Sequence, residues 1–297
     1  MLKRTLKYCI GILCILSLTQ CNKSSDQQET STNVAFDLLE SEDTGIDFIN
    51  QVEDKEEFNV LTYRNYYNGG GVAIGDINND GLKDIFFTAN MSDNKLYLNK
   101  GNLKFEDITE KAGIKGKNSW TTGVTFADVN ADGYLDIYVC YSGDAQKENK
   151  ENELFINNKN NTFTEKAAEY GLNDAGLSTH ATFFDFDLDG DLDCYVLNNS
   201  YKDPERISLY LKQRFEYDAL GSDRLYENQS PPSPNGGVIQ PKFVDITKKS
   251  GIFSSNIGFG LGISVGDINH DLYPDIYISN DFWERDYLYI NQKNGTF

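Results

Sequence analysis

Four stretches of this 297-residue chain set oxygen-bearing side chains at positions 1, 3, 5 and 9 of a nine-residue turn. The first holds Asp76, Asn78, Asp80 and Asp84, and the second holds Asp128, Asn130, Asp132 and Asp136. The third holds Asp185, Asp187, Asp189 and Asp193, and the fourth Asp267, Asn269, Asp271 and Asp275. In a tight turn such groups converge on one point, and the carbonyl of position 7 (Leu82, Tyr134, Asp191 or Tyr273) fills the remaining gap. Carboxylates, amides and a carbonyl are the donor set of a hard cation such as calcium, which takes six to eight oxygens at about 2.3–2.6 Å. Gly81, Gly133 and Gly190 stand at position 6, where a sharp reversal favours a residue free to take positive φ. Leu272 stands there in the fourth turn, so calcium is expected least in that loop.

One such turn is an ordinary Asx-rich reversal that needs no metal. Four at equivalent places, each crowding carboxylates that repel one another unless a cation neutralises them, predict up to four calcium ions. The motif is not the helix-flanked calcium hand, which needs a Glu at position 12. Here position 12 is Phe87, Val139, Val196 or Ile278, inside an apolar run.

The elements that must position these loops are short apolar runs on either side, rich in β-branched and aromatic residues, near 71–90, 123–142, 181–200 and 262–281. After each comes an L-Y or L-F pair, in NKLYLNKG from Asn94, NELFINNK from Asn152, DRLYENQS from Asp223 and DYLYINQK from Asp286. Then, in the first three units, comes an F-x7-G-I/L segment from Phe105, Phe163 and Phe243. Four strand-like runs separated by turns make one propeller blade. The expected fold class is all-β, a β-propeller of four-stranded blades, with about four blades present as part of a larger seven-bladed ring. The segment FDLLESEDTGI from Phe36 matches the last-strand pattern and is expected to be an outer strand without its own blade. The chain stops at Phe297, where the fourth blade's last strand would open, which reads as a truncated form. Insertions at 201–222 and 229–240 interrupt the third repeat, and the first is expected to form a short helix laid on one face.

Residues 1–20 have a basic start (Lys3, Arg4, Lys7) and an apolar run too short to span a bilayer, the anatomy of an export signal. Leu18-Thr19-Gln20-Cys21 resembles a bacterial lipobox, which makes Cys21 the lipidation site, although Gln20 departs from the usual small residue. Residues 21–33 are polar and aperiodic and read as a flexible tether to a propeller domain over 34–297. The formal charge of −19 argues against nucleic-acid binding, which needs a phosphate-neutralising surface. Cys140 and Cys194 lie at different depths of equivalent strands, so they read as small buried side chains rather than a disulfide.

The glycine-initiated strand followed by D-x-N/D-x-D-G-x-x-D resembles the FG-GAP and VCBS repeats of integrin-α-type propellers. The wording YYNGGGVAIGDINNDGLKDIFFTAN, with its LYLN and F-x-D-I-T-x-x-A-G-I continuations, is similar to bacterial members of the ASPIC/UnbV, cartilage acidic protein-like family. That resemblance implies calcium in the loops named above and about seven blades. The residues that carry the resemblance are those of the repeats, and none is expected to belong to the ASPIC/UnbV region itself.

Only two histidines, His180 and His270, exist to serve as bases, and no nucleophile-elbow pattern accompanies any serine. The expected function is a calcium-stabilised, non-catalytic propeller, lipid-anchored in the cell envelope at the outer membrane of a Gram-negative bacterium, that binds a protein or glycan. The alternative is an envelope enzyme acting on polysaccharide through a pair of carboxylates.

Overall fold

A computed structural model describes residues 36–117, 120–143, 150–230 and 240–297. The export signal, Cys21, the tether and most of the second insertion lie outside those residues. The chain divides into two units, Met1–Glu40 and Ser41–Phe297. The described residues of the first are exposed coil, and the second carries all the sheets.

Each repeat folds as an antiparallel meander, the arrangement that tight turns between short strands allow. The first comprises β1 (Val72–Gly75), β2 (Asp84–Phe87), β3 (Lys95–Asn99) and β4 (Phe105–Asp107). The second comprises β5 (Thr121–Ala127), β6 (Asp136–Tyr141), β7 (Glu153–Asn157) and β8 (Phe163–Glu165). The third comprises β9 (Ser178–Phe184), β10 (Asp193–Asn198), β11 (Arg224–Asn228) and β12 (Phe243–Asp245). The fourth is three-stranded among the described residues, with β13 (Gly260–Gly266), β14 (Asp275–Asn280) and β15 (Tyr287–Tyr289). In every sheet spatial order equals chain order, which is the blade expected from the sequence.

The core lies between blades. Every residue of β6 and of β10 is buried, because successive side chains leave a strand on opposite faces and both faces are covered. Ile137, Val139 and Tyr141 pack toward Phe86 and Leu96 of the first blade. Tyr138 and Cys140 pack the other way, with Ala181, Cys194 and Val196 of the third. Tyr195 and Leu197 then face Ile276 and Ile278 of the fourth. Burying each such aliphatic side chain contributes about 1.5–3 kcal/mol. Cys140 and Cys194 are buried free thiols on opposite sides of one blade interface.

The first strands of consecutive blades, β1, β5, β9 and β13, lie side by side. Glycine permits the approach: a Cβ on Gly123 would stand 2.6 Å from the Thr179 carbonyl, and one on Gly71 2.8 Å from that of Thr122. Threonine hydroxyls cross the seam, with Thr122 Oγ1 donating to Ser178 O at 2.6 Å and Thr179 Oγ1 to Gly260 O at 3.0 Å.

One expectation changes. No outer strand starts at Phe36: residues 36–40 are coil, and Ser41–Thr44 is one helical turn closed by Gly45 N–H on Ser41 O at 2.7 Å. What survives of the pattern is its Gly-Ile end, since Gly45 packs on the Phe105 carbonyl as Gly171 packs on that of Phe243. The first insertion forms short helices of the 3-10 kind, Pro204–Leu209 and Leu211–Gln213. They are fastened to the fourth blade by Trp283 Nε1 on Pro204 O at 2.9 Å and by Arg214, whose guanidinium grips Glu284 at 2.6 and 2.8 Å.

Candidate metal centres

All four acidic turns connect the first strand of a blade to the second, and all share one backbone path. Position 4 is left-handed in each, at Asn79, Ala131, Leu188 and His270, with φ between 55° and 63°. Position 6 is left-handed too: Gly81 (88°), Gly133 (85°), Gly190 (98°) and also Leu272 (76°). Those reversals turn backbone N–H groups inward. Asp76 accepts from Asp80 N at 3.1 Å and Gly81 N at 2.8 Å, and Asp128, Asp185 and Asp267 accept from the equivalent amides. Asp80, Asp132, Asp189 and Asp271 each accept from the position-7 amide, 2.8 to 3.1 Å away.

The position-9 aspartates open the second strands and are buried. Asp84 accepts from Ile77 N at 3.0 Å and Asn99 N at 2.8 Å, and Asp136 from Val129 N and Asn157 N. Asp193 and Asp275 repeat this pairing with Phe186 and Asn228, and with Ile268 and Asn291. Each therefore staples its loop to the third strand. Burial pushes the carboxyls of Asp84, Asp136 and Asp193 upward, the latter two to about 7 and about 8, because the neighbouring aspartates add repulsion to desolvation.

The third loop fits a hard cation best. Asp185, Asp187 and Asp193 bring one oxygen each within 4.8 Å of one another. Asp187 Oδ1 and Asp191 Oδ1 are buried without a hydrogen-bond partner, which is costly unless a cation serves as that partner. The Asp191 carboxyl is pushed up to about 7, first by burial and then by Asp189, Asp187 and Asp185. In the first, second and fourth loops the position-3 residue is an amide: Asn130 Oδ1 accepts from Asp132 N at 3.1 Å, and Asn78 and Asn269 likewise from Asp80 and Asp271. These three hold their donors in the same order with less crowding of charge.

The nine-residue spacing assigns no role to the asparagine at or just past the end of each third strand, although its recurrence in LYLN, LFIN, LYEN and LYIN is a visible signal. Besides meeting the position-9 carboxylate, it reaches the preceding blade in the second and fourth units. Asn157 Nδ2 donates to Ile77 O at 2.7 Å, and Asn291 Nδ2 to Phe186 O at 2.7 Å. Loops of neighbouring blades are joined as well, by Asn79 Nδ2 on Gly133 O at 2.8 Å. His180 lies in β9, where burial lowers its basicity, and His270 sits at position 4 of the fourth turn.

At the opposite end of the strands a cavity of about 360 Å³ opens. It is lined by Phe58, Tyr63 and Arg64 ahead of β1, Ser142 after β6, and Asn199 and Lys202 after β10. Tyr63 OH bonds Ser142 Oγ at 3.2 Å, and Lys202 Nζ stands 4.3 Å over the Tyr201 ring with its OH at 2.8 Å. Arg64 and Glu205 meet at 3.2 Å beside it. Strands of six or seven residues separate this cleft from the acidic loops by roughly 20 Å.

These meanders and their loops define the blades of a β-propeller fold, and residues 76–139 and 141–196 match the family of FG-GAP-like repeats. More particularly, the chain is similar to cartilage acidic protein 1 of Xenopus tropicalis, 30% identical over 221 residues, which are 73% of this chain and 29% of that protein. It is similar to cartilage acidic protein 1 of Homo sapiens at 26% over 219 residues, 72% of this chain and 28% of that protein. The chain thus spans less than a third of the length of these relatives.

Proposed function

We propose that this chain is a calcium-stabilised, non-catalytic propeller of the cell envelope, held on a lipid at Cys21, that binds a protein or glycan in the cleft between Tyr63 and Lys202. The observation that carries the reading is the separation of the two sites: the acidic loops lie at one end of the blades and the cleft at the other. Ions in the loops are too far away to touch a ligand and act on the scaffold alone. When bound, calcium supplies the counter-charge that crowded aspartates need. The cleft combines aromatic faces with amide, hydroxyl and ammonium groups in a volume within the range of ligand pockets, and the loops that line it hang from a rigid scaffold.

The test is a glycan array and a peptide library read with and without calcium, followed by affinity measurements on Tyr63→Ala and Lys202→Met. Each substitution is expected to weaken binding about tenfold or more at temperatures well below that variant's own melting point. Chelation is expected to lower the melting temperature. Unchanged affinity in both variants would remove the cleft from the reading, and superimposed melts in calcium and chelator would remove the metal.

A further inference from the structure

The four acidic turns differ in one respect that their shared motif hides. Two residues beyond the asparagine at or just past the end of each third strand stand Gly101, Lys159, Ser230 and Lys293 in the four blades. Gly101, Lys159 and Lys293 are all left-handed there (φ 82°, 64° and 62°), a conformation that costs lysine and not glycine. The amides of Lys159 and Lys293 are pinned at 2.8 Å by Asn157 Oδ1 and Asn291 Oδ1. From that anchor Lys159 Nζ reaches Asp132 in the second loop, 3.4 Å from Oδ2 and 3.4 Å from the carbonyl. Lys293 Nζ reaches Asp271 in the fourth, 3.3 Å from the same two atoms. Each ammonium also lies under the position-7 tyrosine of its loop, 5.1 Å from the Tyr134 ring and 5.4 Å from the Tyr273 ring.

The first and third loops have neither partner. Their position-7 residues are Leu82 and Asp191, and among the described residues their aspartates make no ion pair with a lysine or arginine. Lys100, beside Gly101, turns instead to Glu106 at 3.4 Å. The third loop carries five aspartates and the two unpartnered oxygens described above.

We propose that Lys159 and Lys293 are built-in counter-cations that divide the loops into two classes. The second and fourth keep their shape without a divalent ion and bind one weakly, whereas the first and third depend on it, the third most. The division rests on the calcium reading above for its affinity half only. A positive charge held against Asp132 or Asp271 repels an incoming divalent ion, and the flexible lysine stem relieves part of that repulsion, so the expected effect on affinity is about three- to tenfold per site. The same charge neutralises part of the loop in the metal-free protein.

Calcium titration calorimetry of the full mature chain is expected to show a tight and a weak class. Lys159→Met and Lys293→Met should each tighten one weak site about three- to tenfold, and Asp185→Asn, at the position that is aspartate in every loop, should remove a tight one. Independently of calcium affinity, both lysine variants should melt a few degrees lower than wild type in chelator and recover in calcium, while Lys100→Met melts like wild type in both. Lysine variants that titrate and melt like wild type would overturn the proposal. Lower melts in chelator with no calcium heat in any protein would keep the lysines as counter-cations and overturn the calcium reading instead.

Discussion

Leu272 is held at φ 76° in the turn position that the other three loops give to glycine, and its side chain is 81% exposed. The left-handed conformation costs an ordinary residue about 1–2 kcal/mol, and replacing it with glycine adds about 0.5–1 kcal/mol of chain entropy to the unfolded state. With no burial to lose, Leu272→Gly should stabilise the protein by up to about 1 kcal/mol in chemical denaturation, and a lower midpoint would show that the strain is relieved elsewhere. Asp223 is a second telling residue. It is buried, accepts from Tyr195 OH and Asn198 N at 2.9 Å each, and burial pushes its carboxyl up to about 7 from an ordinary 3.8. A carboxyl whose folded value is raised keeps its proton in the native state, so its contribution is complete below about pH 4 and lost as pH rises toward 7. The associated slope is at most about 1.4 kcal/mol per pH unit. Asp223→Asn, measured in calcium, should flatten the fall of the melting temperature between pH 5 and pH 7, and parallel curves for the two proteins would remove Asp223 as its source.

Among the elements, the first insertion departs from the repeat and is tied to the fourth blade by a few strong contacts. Glu284 is only 1% exposed at its side chain and depends on the bidentate grip of Arg214. Removing the guanidinium leaves a buried carboxylate unpaired, at a cost of about 2–3 kcal/mol, since one partner is partly solvated. Arg214→Met should therefore release 201–222 to limited proteolysis at concentrations that leave wild type intact, with the blades themselves resisting cleavage. Equal digestion of both proteins would mean that Trp283 and the cleft contacts suffice. The segment before the first blade behaves differently from the insertion. Its pattern from Phe36 is legible in the sequence, but the two halves have different requirements. The helical turn and Gly-Ile end close through a local hydrogen bond and a dock on β4, whereas a strand needs a neighbouring edge to pair with.

At the scale of the whole molecule, repetition explains why so much could be read from the chain alone. The strand–turn–strand unit, the alternation that buries β6 and β10 on both faces, and the order of donors in each acidic loop depend on separations of nine residues or fewer, and these recur in every copy. The sequence by itself therefore determined the blade, the loop and the order of oxygen donors within it. Only the tertiary structure decided what stacking one blade on the next brings together: Asn157 with Ile77, 80 residues apart, Asn291 with Phe186, 105 apart, and Arg64 with Glu205, 141 apart. It also decided that Lys159 and Lys293 rise under two loops and not the others, and that the cleft opens at the far end of the strands. Contacts of this kind arise from how the blades are stacked, a geometry to which local spacing is blind.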